Sequence, residues 1–462
     1  MTALIWFRND LRSHDNTALH HAARFAREQQ VPLRALYIAT PGQWHEHATS
    51  LRQQNLIFAA LNALQGTLAE RGIAFDLLVA DTFRDIPALL AKYADKHQLS
   101  AVFANREYLV NEMQRDDAVA SRLSIPCHWH HDRLLLEPGT VLNGSDLPYK
   151  VFTPFAKAWK RTLGERDSTP LRRPRALAEA VPARSLKRFC EPADISGWPT
   201  DEEAALKQLR RFCQEQVQDY EKKRDFPAIE GTSRLGAALA IGLLSPRQCL
   251  ARLRSEAELA DTKSGADVWL NELIWREFYQ HVAFHFPRVV KGYAFKPETE
   301  NIRWNNNDRD FQAWCEGKTG FPIVDAGMRQ LRETGWMHNR LRMITASFLV
   351  KDLHIDWRRG EQYFMSQLID GEFAANNGGW QWAASTGTDA APYFRVFNPT
   401  TQGQRFDPEG HFIRTFVPEL AALDKRQVHS PPKSADYPAP IVDHKQAREL
   451  AIAMFKAVQP IR

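Results

Sequence analysis

The chain has few cysteines and no long apolar segment. Only five of its 462 residues are cysteine, and none of them forms a C-x-x-C pair. A small, odd and dispersed set of cysteines argues against a disulfide framework or a zinc site and favours a reducing compartment. No run of about 20 apolar residues is present, and the first apolar stretch ends in charge at Arg8, so we expect neither a membrane span nor a signal peptide. The sequence therefore predicts a cytoplasmic protein without a membrane partner.

Several well-defined active-site motifs are also missing. No G-x-G-x-x-G follows the first apolar run, so a dinucleotide-binding turn is not indicated. Gly317-Lys318-Thr319 ends like a phosphate loop, but Gln312 stands where that motif requires its first glycine. No G-x-S-x-G or H-E-x-x-H is found either, so hydrolysis by a serine triad or a zinc ion is unsupported.

The composition is that of an ordinary globular protein, with 44% hydrophobic and 25% charged residues. A chain of this length suits two domains better than one. The formal net charge of +5 permits a polyanionic partner but does not require one. Tryptophan is abundant, with 13 residues, and core packing is the default explanation for most of them.

Residues 1–130 alternate short apolar runs with helical periodicity, which predicts an α/β domain with a parallel sheet covered by helices on both faces. Ser50 is a candidate N-cap for one of these helices, and Gly72 is a candidate stop. The predicted strands are Leu4–Phe7, Val31–Ile38, Ile73–Val79 and Ala101–Ala104.

The rest of the chain changes character twice. Residues 131–200 are rich in proline and basic residues and are predicted to form an interdomain connector. Residues 201–462 show helical patterns and are predicted to form a mostly α-helical domain. Thr232-Ser233 and Ser245-Pro246 are candidate helix starts, and Asp443–Val458 is a candidate closing helix after a loop at Pro431–Pro440.

One predicted helix carries two indoles on either side of a carboxylate. The three- and four-residue spacing of these positions brings their side chains to one face. The plainer interpretation is an amphipathic helix with a Glu272–Arg276 pair, whereas flat aromatic walls beside one acceptor also suit a stacked heterocycle. The face consists of Trp269, Glu272, Trp275, Arg276 and Tyr279.

Two further stretches bring polar groups next to aromatic residues. Asn339, Arg342 and Met343 share a helical face, and a buried arginine there needs a carboxylate, for which Asp370 and Glu372 are candidates. His338 is interpreted as a structural histidine. The Asn-Asn-Gly-Gly sequence before Trp380 is typical of a turn that opens a helix, and it also offers an amide to a cofactor ring.

Taken together, these motifs resemble the photolyase/cryptochrome family, and among its branches most closely the class I cyclobutane pyrimidine dimer photolyases. The resemblance spans nearly the whole chain. The matching segments are WFRNDLR (6–12), EGTSRL (230–235), WLNELIWREFY (269–279), GWMHNR (335–340) and NNGGW (376–380).

The resemblance implies that the helical domain binds FAD, which functions as the reduced anion FADH−. Asn376 matches the residue that faces flavin N5, and Arg342 with Asp370 matches the ion pair beside the ring. Gly236 stands where close relatives often carry serine, which removes a hydroxyl near the phosphates. The matching pocket positions are Tyr220, Thr232, Ser233, Arg234, Leu235, Gly236, Trp269, Glu272, Arg276, Asn339, Arg342, Asp370, Gly371, Glu372 and Asn376.

The implied activity is that of a carbon–carbon lyase acting on UV-damaged DNA. Light drives an electron from the reduced flavin to a pyrimidine dimer extruded from the duplex, and the cyclobutane ring splits. Trp380, Trp357 and Trp304 match the indoles that pass electrons to oxidised flavin, and Glu272 and Asn376 match the other catalytic positions. The protein is expected to be monomeric. The positions matching the dimer pocket and the DNA interface are Arg224, Glu272, Trp275, Arg276, Tyr279, Asn339, Arg340, Met343, Trp382, Arg395 and Gln402.

A second chromophore is implied for the α/β domain. Asn111 and Glu112 match the site for 5,10-methenyltetrahydrofolate, and Lys291 and His47 are candidates to complete it. An exposed polar loop, a deazaflavin site or an empty site are the alternatives at this point.

Three other functions remain open from sequence. A cryptochrome would use the same flavin as a blue-light receptor without repair, but Asn376, Met343 and Trp275 favour repair. A (6-4) photolyase would need a histidine-rich active site. A light-independent FAD oxidoreductase would need a hydride-donor site, for which no motif is found.

Overall fold

A five-stranded parallel sheet organises the first part of the chain. Its strand order is β3-β2-β1-β4-β5, and every neighbouring pair is parallel. Ala3 to Phe7 on the central strand are almost completely buried, because helices cover both faces of such a sheet. The predicted α/β class is confirmed. The strands are β1 (Thr2–Phe7), β2 (Leu33–Ala39), β3 (Ala74–Val79), β4 (Leu99–Asn105) and β5 (Cys127–His130).

The computed structural model describes residues 1–257, 264–433 and 436–458. The chain divides into two compact units, and neither unit is one continuous stretch of sequence. The first contains residues 1–149, 153–218 and 233–287, and the second contains residues 150–152, 219–232 and 288–462. The domain boundaries proposed from composition, at residues 130 and 200, stay a prediction.

Seven α-helices precede residue 219. Ser50 caps α3 by accepting a hydrogen bond of 3.1 Å from the Gln53 amide, as predicted, and the helix ends three residues before Gly72. These helices are α1 (Thr17–Glu28), α2 (Pro41–Glu46), α3 (Leu51–Ala69), α4 (Ile86–His97), α5 (Val110–Arg122), α6 (Phe152–Gly164) and α7 (Glu202–Glu215).

Strand β5 and helix α6 are among the elements of this region that the sequence did not predict. Strand β5 has the sequence Cys-His-Trp-His, which lacks the apolar run that marked the other four strands. Helix α6 lies within the segment predicted as a connector. Its buried side chains Phe155, Trp159 and Leu163 are spaced four residues apart and form one apolar stripe.

The second half of the described chain is helical, as predicted. Four 3-10 helices are short: Val217–Asp219, Pro297–Asn301, Pro418–Leu420 and Gln427–His429. The α-helices are α8 (Tyr220–Lys223), α9 (Gly236–Ile241), α10 (Pro246–Glu256), α11 (Gly265–His285), α12 (Pro287–Val290), α13 (Asp308–Glu316), α14 (Pro322–Thr334), α15 (Asn339–Lys351), α16 (Trp357–Gln367), α17 (Phe373–Ala383), α18 (Pro399–Phe406), α19 (His411–Phe416) and α20 (His444–Ala457).

The predicted helix starts had different outcomes. Ser245 and Gln248 form a reciprocal capping box, with both hydrogen bonds 2.9 Å long, and Pro246 follows as the first helical residue. The cap predicted at Thr232-Ser233 was wrong, because α9 begins later and Leu235 precedes it without a side-chain hydrogen bond.

The C-terminal elements follow the prediction where they are described. The closing helix α20 is confirmed, and Asp443 accepts a hydrogen bond of 2.9 Å from the backbone amide of Gln446 at its start. The predicted loop at 431–440 has no helix or strand in its described residues, and residues 434–435 lie outside them. No described helix is both long and apolar enough to cross a membrane.

The end of α15 holds a lysine in the apolar core of the second unit. Lys351 is fully buried, its Nζ donates to Ser385 Oγ at 2.9 Å, and the ammonium lies 3.8 Å from the centre of the Phe455 ring. Burial lowers the pKa of Lys351 to about 7, because an ammonium loses hydration there. In the unfolded chain a lysine keeps its proton until about pH 10.4.

The first prediction concerns Lys351 and the pH dependence of stability. Between pH 7 and about pH 10 the unfolded chain binds one proton more than the folded chain at this residue, so the free energy of unfolding rises with pH by up to about 1.4 kcal/mol per unit. For Lys351→Met, the free energy of unfolding measured with denaturant at pH 7.5 and 9.5 should not show this rise.

Lys318→Met is the matched control, since Lys318 belongs to the same unit but its side chain is 59% exposed. The explanation fails if Lys351→Met and the wild-type chain gain the same stability between the two pH values.

Candidate functional site

In the first unit, helix α11 carries the aromatic and carboxylate face that the sequence predicted. The helix is 21 residues long and uninterrupted, and Ser264 caps it by accepting from the Asp267 amide at 3.2 Å. Trp269 is buried and its ring lies 5.1 Å from that of Phe212. Further along, Trp275, Glu272, Arg276 and Tyr279 are partly exposed, and the Trp275 and Tyr279 rings are 5.5 Å apart.

A different face of α11 is anchored in the core through Glu277. This carboxyl group is 1% exposed and accepts from the Trp159 indole at 2.6 Å and from the Leu136 amide at 3.3 Å. Burial raises the pKa of Glu277 to about 7. These contacts fix the rotation of α11 about its own axis. The face that contains Trp275 is therefore directed away from Glu277.

The segment before α9 contains four of the predicted pocket residues. Arg234 has a positive φ of 52° and its guanidinium lies 4.8 Å from the Trp198 ring. The Ser233 carbonyl accepts from Gln208 Nε2 at 2.8 Å. Leu235 is buried, whereas Gly236, the first residue of α9, is exposed. The contacts with Gln208 and Trp198 therefore hold this segment in place, while the first residue of α9 remains exposed to solvent.

In the second unit, Arg342 forms the ion pair that the sequence predicted. Of the two candidate carboxylates, Asp370 holds it, with Arg342 Nη2 3.0 and 2.8 Å from the two oxygens. Arg342 Nε donates to the Met337 carbonyl at 2.8 Å, which fixes the guanidinium plane. Glu372 instead precedes α17 as its N-cap residue. A fixed cation of this kind favours a negatively charged ring next to it.

Asn376 is oriented by the backbone of the neighbouring helix. Its Nδ2 donates to the Glu361 carbonyl at 3.0 Å, which leaves its Oδ1 as the atom suited to accept a further hydrogen bond. A reduced flavin presents an N5–H donor. The amide orientation therefore fits the reduced form of the cofactor that the resemblance implies.

The prediction of a turn at Asn376–Gly379 was wrong, because α17 begins at Phe373 and contains these residues. The neighbouring Asn377 explains how the helix tolerates the sequence. Its Nδ2 donates to Glu361 Oε1 and its Oδ1 accepts from Gln381, each at 3.0 Å. Tertiary hydrogen bonds thus override the local turn preference of Asn-Asn-Gly-Gly.

The three tryptophans predicted to carry electrons differ in their exposure. Trp380 and Trp357 are buried, with 2% and 1% of their surface exposed, and Trp304 is only partly buried. The Trp380 Nε1–H has no hydrogen-bond acceptor among the described residues.

Gly360 lets the Trp380 ring pack directly against helix α16. A Cβ atom at Gly360 would lie 2.1 Å from Cη2 of Trp380 and 2.6 Å from a methyl group of Leu349. Gly360 is three residues after Trp357, so both occupy one face of α16. The glycine thus brings Trp380 to the helix face that begins with Trp357.

Trp314 was not among the predicted site residues. It is fully buried, its ring lies 6.0 Å from that of Trp380, and its Nε1 donates to the Thr345 carbonyl at 3.0 Å. Nothing in the sequence around Trp314 links it to Trp380, because the two are far apart in the chain. Core packing was the reasonable expectation for it, and the contact is visible only in the fold.

The basic positions predicted at the DNA interface are not all free cations. Arg340 pairs with Asp225 at 2.7 Å and lies 4.3 Å from the centre of the Phe406 ring. Asn339 is exposed, and its amide nitrogen is 4.0 Å from the Met343 sulfur.

The remaining predicted residues of the second unit have varied surroundings. Arg224 lies 5.9 Å from the centre of the Tyr220 ring, and Tyr220 is buried. Gly371 is buried, Arg395 is exposed, and the partly buried positions are Thr232, Trp382 and Gln402.

The proposed antenna residues of the first unit lie together at the start of α5. Asn111 Nδ2 is 3.3 Å from His47 Nε2, so the less certain candidate His47 is brought to the same place. The pKa of Glu112 is raised to about 7 by burial and by the like charge of Glu107. Lys291 is an exposed residue of the second unit.

Comparison with protein-family models gives two matches. Residues 3–175 match the model described as DNA photolyase, and residues 269–457 match the model described as the FAD binding domain of DNA photolyase. The chain is 51% identical to deoxyribodipyrimidine photo-lyase of Escherichia coli and 49% identical to that of Vibrio cholerae, over 99% of both chains in each case.

Solved structures give the same result for the fold. A class III photolyase from Agrobacterium tumefaciens is 35% identical with a TM-score of 0.87 over 99% of this chain and 97% of the other. The cryptochrome of Synechocystis is 27% identical with a TM-score of 0.86 over 98% and 99%. The chain therefore belongs to the photolyase/cryptochrome family. Its relatives at about half identity are the deoxyribodipyrimidine photo-lyases, and the FAD-binding domain of that family is present.

The second prediction tests the close approach at Gly360. The substitution Gly360→Ala adds a methyl group where the Trp380 ring lies, so the ring must move. We expect a loss of about 1–3 kcal/mol in the free energy of unfolding from overpacking. We also expect slower photoreduction of bound oxidised FAD, measured by bleaching of the flavin absorption under blue light.

Gly66→Ala is the control, because Gly66 lies within helix α3 and a Cβ there meets no atom within 4 Å. That change should stabilise the protein by about 0.5–1 kcal/mol. If both variants gain stability, the packing constraint at Gly360 is disproved.

Proposed function

We propose that this protein repairs cyclobutane pyrimidine dimers in DNA by light-driven electron transfer from reduced FAD. The observation that carries the proposal is the 51% identity to a deoxyribodipyrimidine photo-lyase along 99% of both chains. The protein is accordingly a carbon–carbon lyase. The cryptochrome alternative is not favoured, since the cryptochrome match has only 27% identity.

The geometry agrees with a reduced, anionic flavin. Reduced FAD supplies the transferable electron when it absorbs light. Arg342, held by Asp370, supplies the positive charge that favours the anion, and the oxygen of Asn376 accepts from a donor at N5. We assign FAD binding to the pocket residues that the family resemblance identifies. No acid–base pair is required, because the energy comes from the photon and the protein contributes orientation and distance.

We further propose that Trp275 and Trp382 stack on the extruded dimer and that Glu272 accepts a hydrogen bond from it. Stacking on an aromatic side chain compensates a base for part of the stacking it loses on leaving the duplex. Met343 and Asn339 contribute to the same pocket. The phosphate contacts are assigned to Arg224, Arg276, Tyr279, Arg340, Arg395 and Gln402.

For the second chromophore we propose 5,10-methenyltetrahydrofolate, bound by Asn111, Glu112 and Lys291. The contact between Asn111 and His47 supports a prepared polar site in the first unit. A photolyase from Sulfolobus tokodaii, 28% identical, is described with two FAD molecules, which are said to imply a novel light-harvesting cofactor, so the antenna need not be a folate in every photolyase. The fluorescence spectrum of the extracted chromophore distinguishes a folate from a flavin.

We also propose that the protein is a cytoplasmic monomer. All five cysteines are free thiols in the structure, which is compatible with a reducing compartment. Sedimentation of the purified holoprotein tests the monomer.

The third prediction is the repair reaction itself. The reduced protein, mixed with an oligonucleotide that contains one thymine dimer, should restore the intact thymines under blue light and leave the dimer unchanged in the dark. Binding should weaken with salt by about 0.9 log unit per decade for each neutralised phosphate. Dimer loss that does not depend on light would contradict the mechanism.

The fourth prediction separates repair from flavin reduction. The substitution Trp304→Phe removes the partly exposed indole of the proposed electron-transfer chain, so photoreduction of oxidised FAD should fall by about an order of magnitude. Repair by enzyme that has been reduced with dithionite should continue, because the electron is then already on the flavin. Equal defects in photoreduction and in repair would show that Trp304 is not part of the electron-transfer chain.

A further inference from the structure

The middle tryptophan of the proposed electron-transfer chain has a cation on its face. The Arg358 guanidinium lies 4.7 Å from the centre of the Trp357 ring. Trp357 itself is 1% exposed, so water does little to solvate a charge on this indole. A charged group in contact with the ring therefore has a strong effect on the energy of a charge on the ring.

Arg358 is held in this position by a network of five hydrogen bonds. Nη2 contacts the two oxygens of Glu300 at 2.9 and 2.7 Å, and Nη1 contacts those of Asp356 at 3.2 and 3.3 Å. Nε donates to the Gly292 carbonyl at 2.6 Å. Two bidentate carboxylates and a carbonyl fix the planar guanidinium far more firmly than a single surface pair would.

The same cation acts oppositely on the neutral and the oxidised ring. It attracts the electron-rich face of neutral tryptophan, and it repels the positive charge that the ring carries after losing an electron. Glu300 and Asp356 carry two negative charges beside the single positive charge of Arg358, so without the guanidinium these carboxylates would stabilise an oxidised ring more strongly. A positive charge on Trp357 is therefore less stable than it would be without Arg358.

We propose that Arg358 is a positioning residue that prevents the positive charge from resting on Trp357 and drives it outward to Trp304. This rests on the proposed function, since it requires that electrons reach the flavin through these tryptophans. One electron passes from Trp380 to the light-excited flavin, one from Trp357 to Trp380, and one from Trp304 to Trp357. The oxidised Trp304 releases its indole proton to water, and an added thiol later returns one electron and one proton.

The adjacent residue offers an internal comparison. Arg359 lies 4.1 Å from the centre of the Phe311 ring and pairs with Asp308 at 2.7 Å. This is the same kind of cation–ring contact with the same kind of partner, in the same helical turn. Phenylalanine is too difficult to oxidise to serve in electron transfer, so the charge on Arg359 has no such role.

The test uses Arg358→Met in the holoprotein with oxidised FAD. Without the cation, the positive charge should remain longer on Trp357 and return more often to the flavin. We expect the yield of stable photoreduction to fall about threefold, as suits a partly exposed cation–ring contact. Time-resolved absorption should show more indole radical cation and less deprotonated indole radical than in the wild-type protein.

Two further variants make the result specific. Arg358→Lys keeps the charge and should recover most of the yield, whereas Arg359→Met should behave like the wild-type protein. The proposal is overturned if Arg358→Met matches Arg359→Met in yield and radical kinetics. It is also overturned if Arg358→Lys is as impaired as Arg358→Met, since packing and not charge would then be responsible.

The same measurements separate this proposal from the proposed function. If the wild-type protein repairs dimers and photoreduces its flavin but the Arg358 variants are unchanged, only the role of Arg358 fails. If the wild-type protein forms no indole radical under illumination, the electron-transfer chain itself fails. Repair by dithionite-reduced Arg358→Met should equal that of the wild-type protein, which shows that the substitution has not damaged the fold.

Discussion

The close packing of helix α17 against helix α16 is the constraint on which the second unit's site depends. At one point the Trp380 ring occupies the space that any side chain at Gly360 would fill. One residue further on, Glu361 holds Asn376 through its carbonyl and Asn377 through its carboxyl group. A rigid contact between two helices therefore sets both the indole assigned to electron transfer and the amide assigned to flavin N5, which agrees with the general rule that precise sites are built on packed elements.

The first unit uses a buried carboxyl group for a comparable purpose. Glu277 accepts hydrogen bonds from Trp159 and from the backbone near Leu136, and so sets the rotation of α11. The face with Glu272 and Trp275 is thereby positioned, although these two residues take no part in the Glu277 hydrogen bonds. Glu272 and Trp275 are partly exposed, whereas the Glu277 carboxyl group that orients their helix is buried.

Much of the architecture follows from short-range patterns in the sequence. Four of the five strands and the capping box at Ser245 are marked by apolar runs and cap residues, which act locally. Strand β5 and helix α6 were missed because a histidine-rich edge strand and a helix in a proline-rich region lack those local signals. The turn expected at Asn376–Gly379 is a helix, in which Glu361 of the neighbouring helix accepts hydrogen bonds from the side-chain amides of Asn376 and Asn377.

In the candidate site, too, some contacts could be predicted from local sequence patterns and others depend on tertiary packing. The Arg342–Asp370 pair was predictable, because an arginine expected to be buried requires a carboxylate and the motifs offered two candidates, Asp370 and Glu372. The contact between Trp314 and Trp380 was not, since it depends on how separate helices pack. The resemblance to a family identified residues that no local pattern would have distinguished, such as Trp304 among 13 tryptophans.

The ion pair between Arg340 and Asp225 has a consequence for the phosphate contact assigned to Arg340. A phosphate that engages Arg340 must first displace a carboxylate 2.7 Å away, so part of the attraction is offset by the pair that is broken. Asp225 would then stand as a negative charge close to the DNA backbone. The phosphate contact assigned to Arg340 would accordingly add less to the affinity for DNA than an unpaired arginine would.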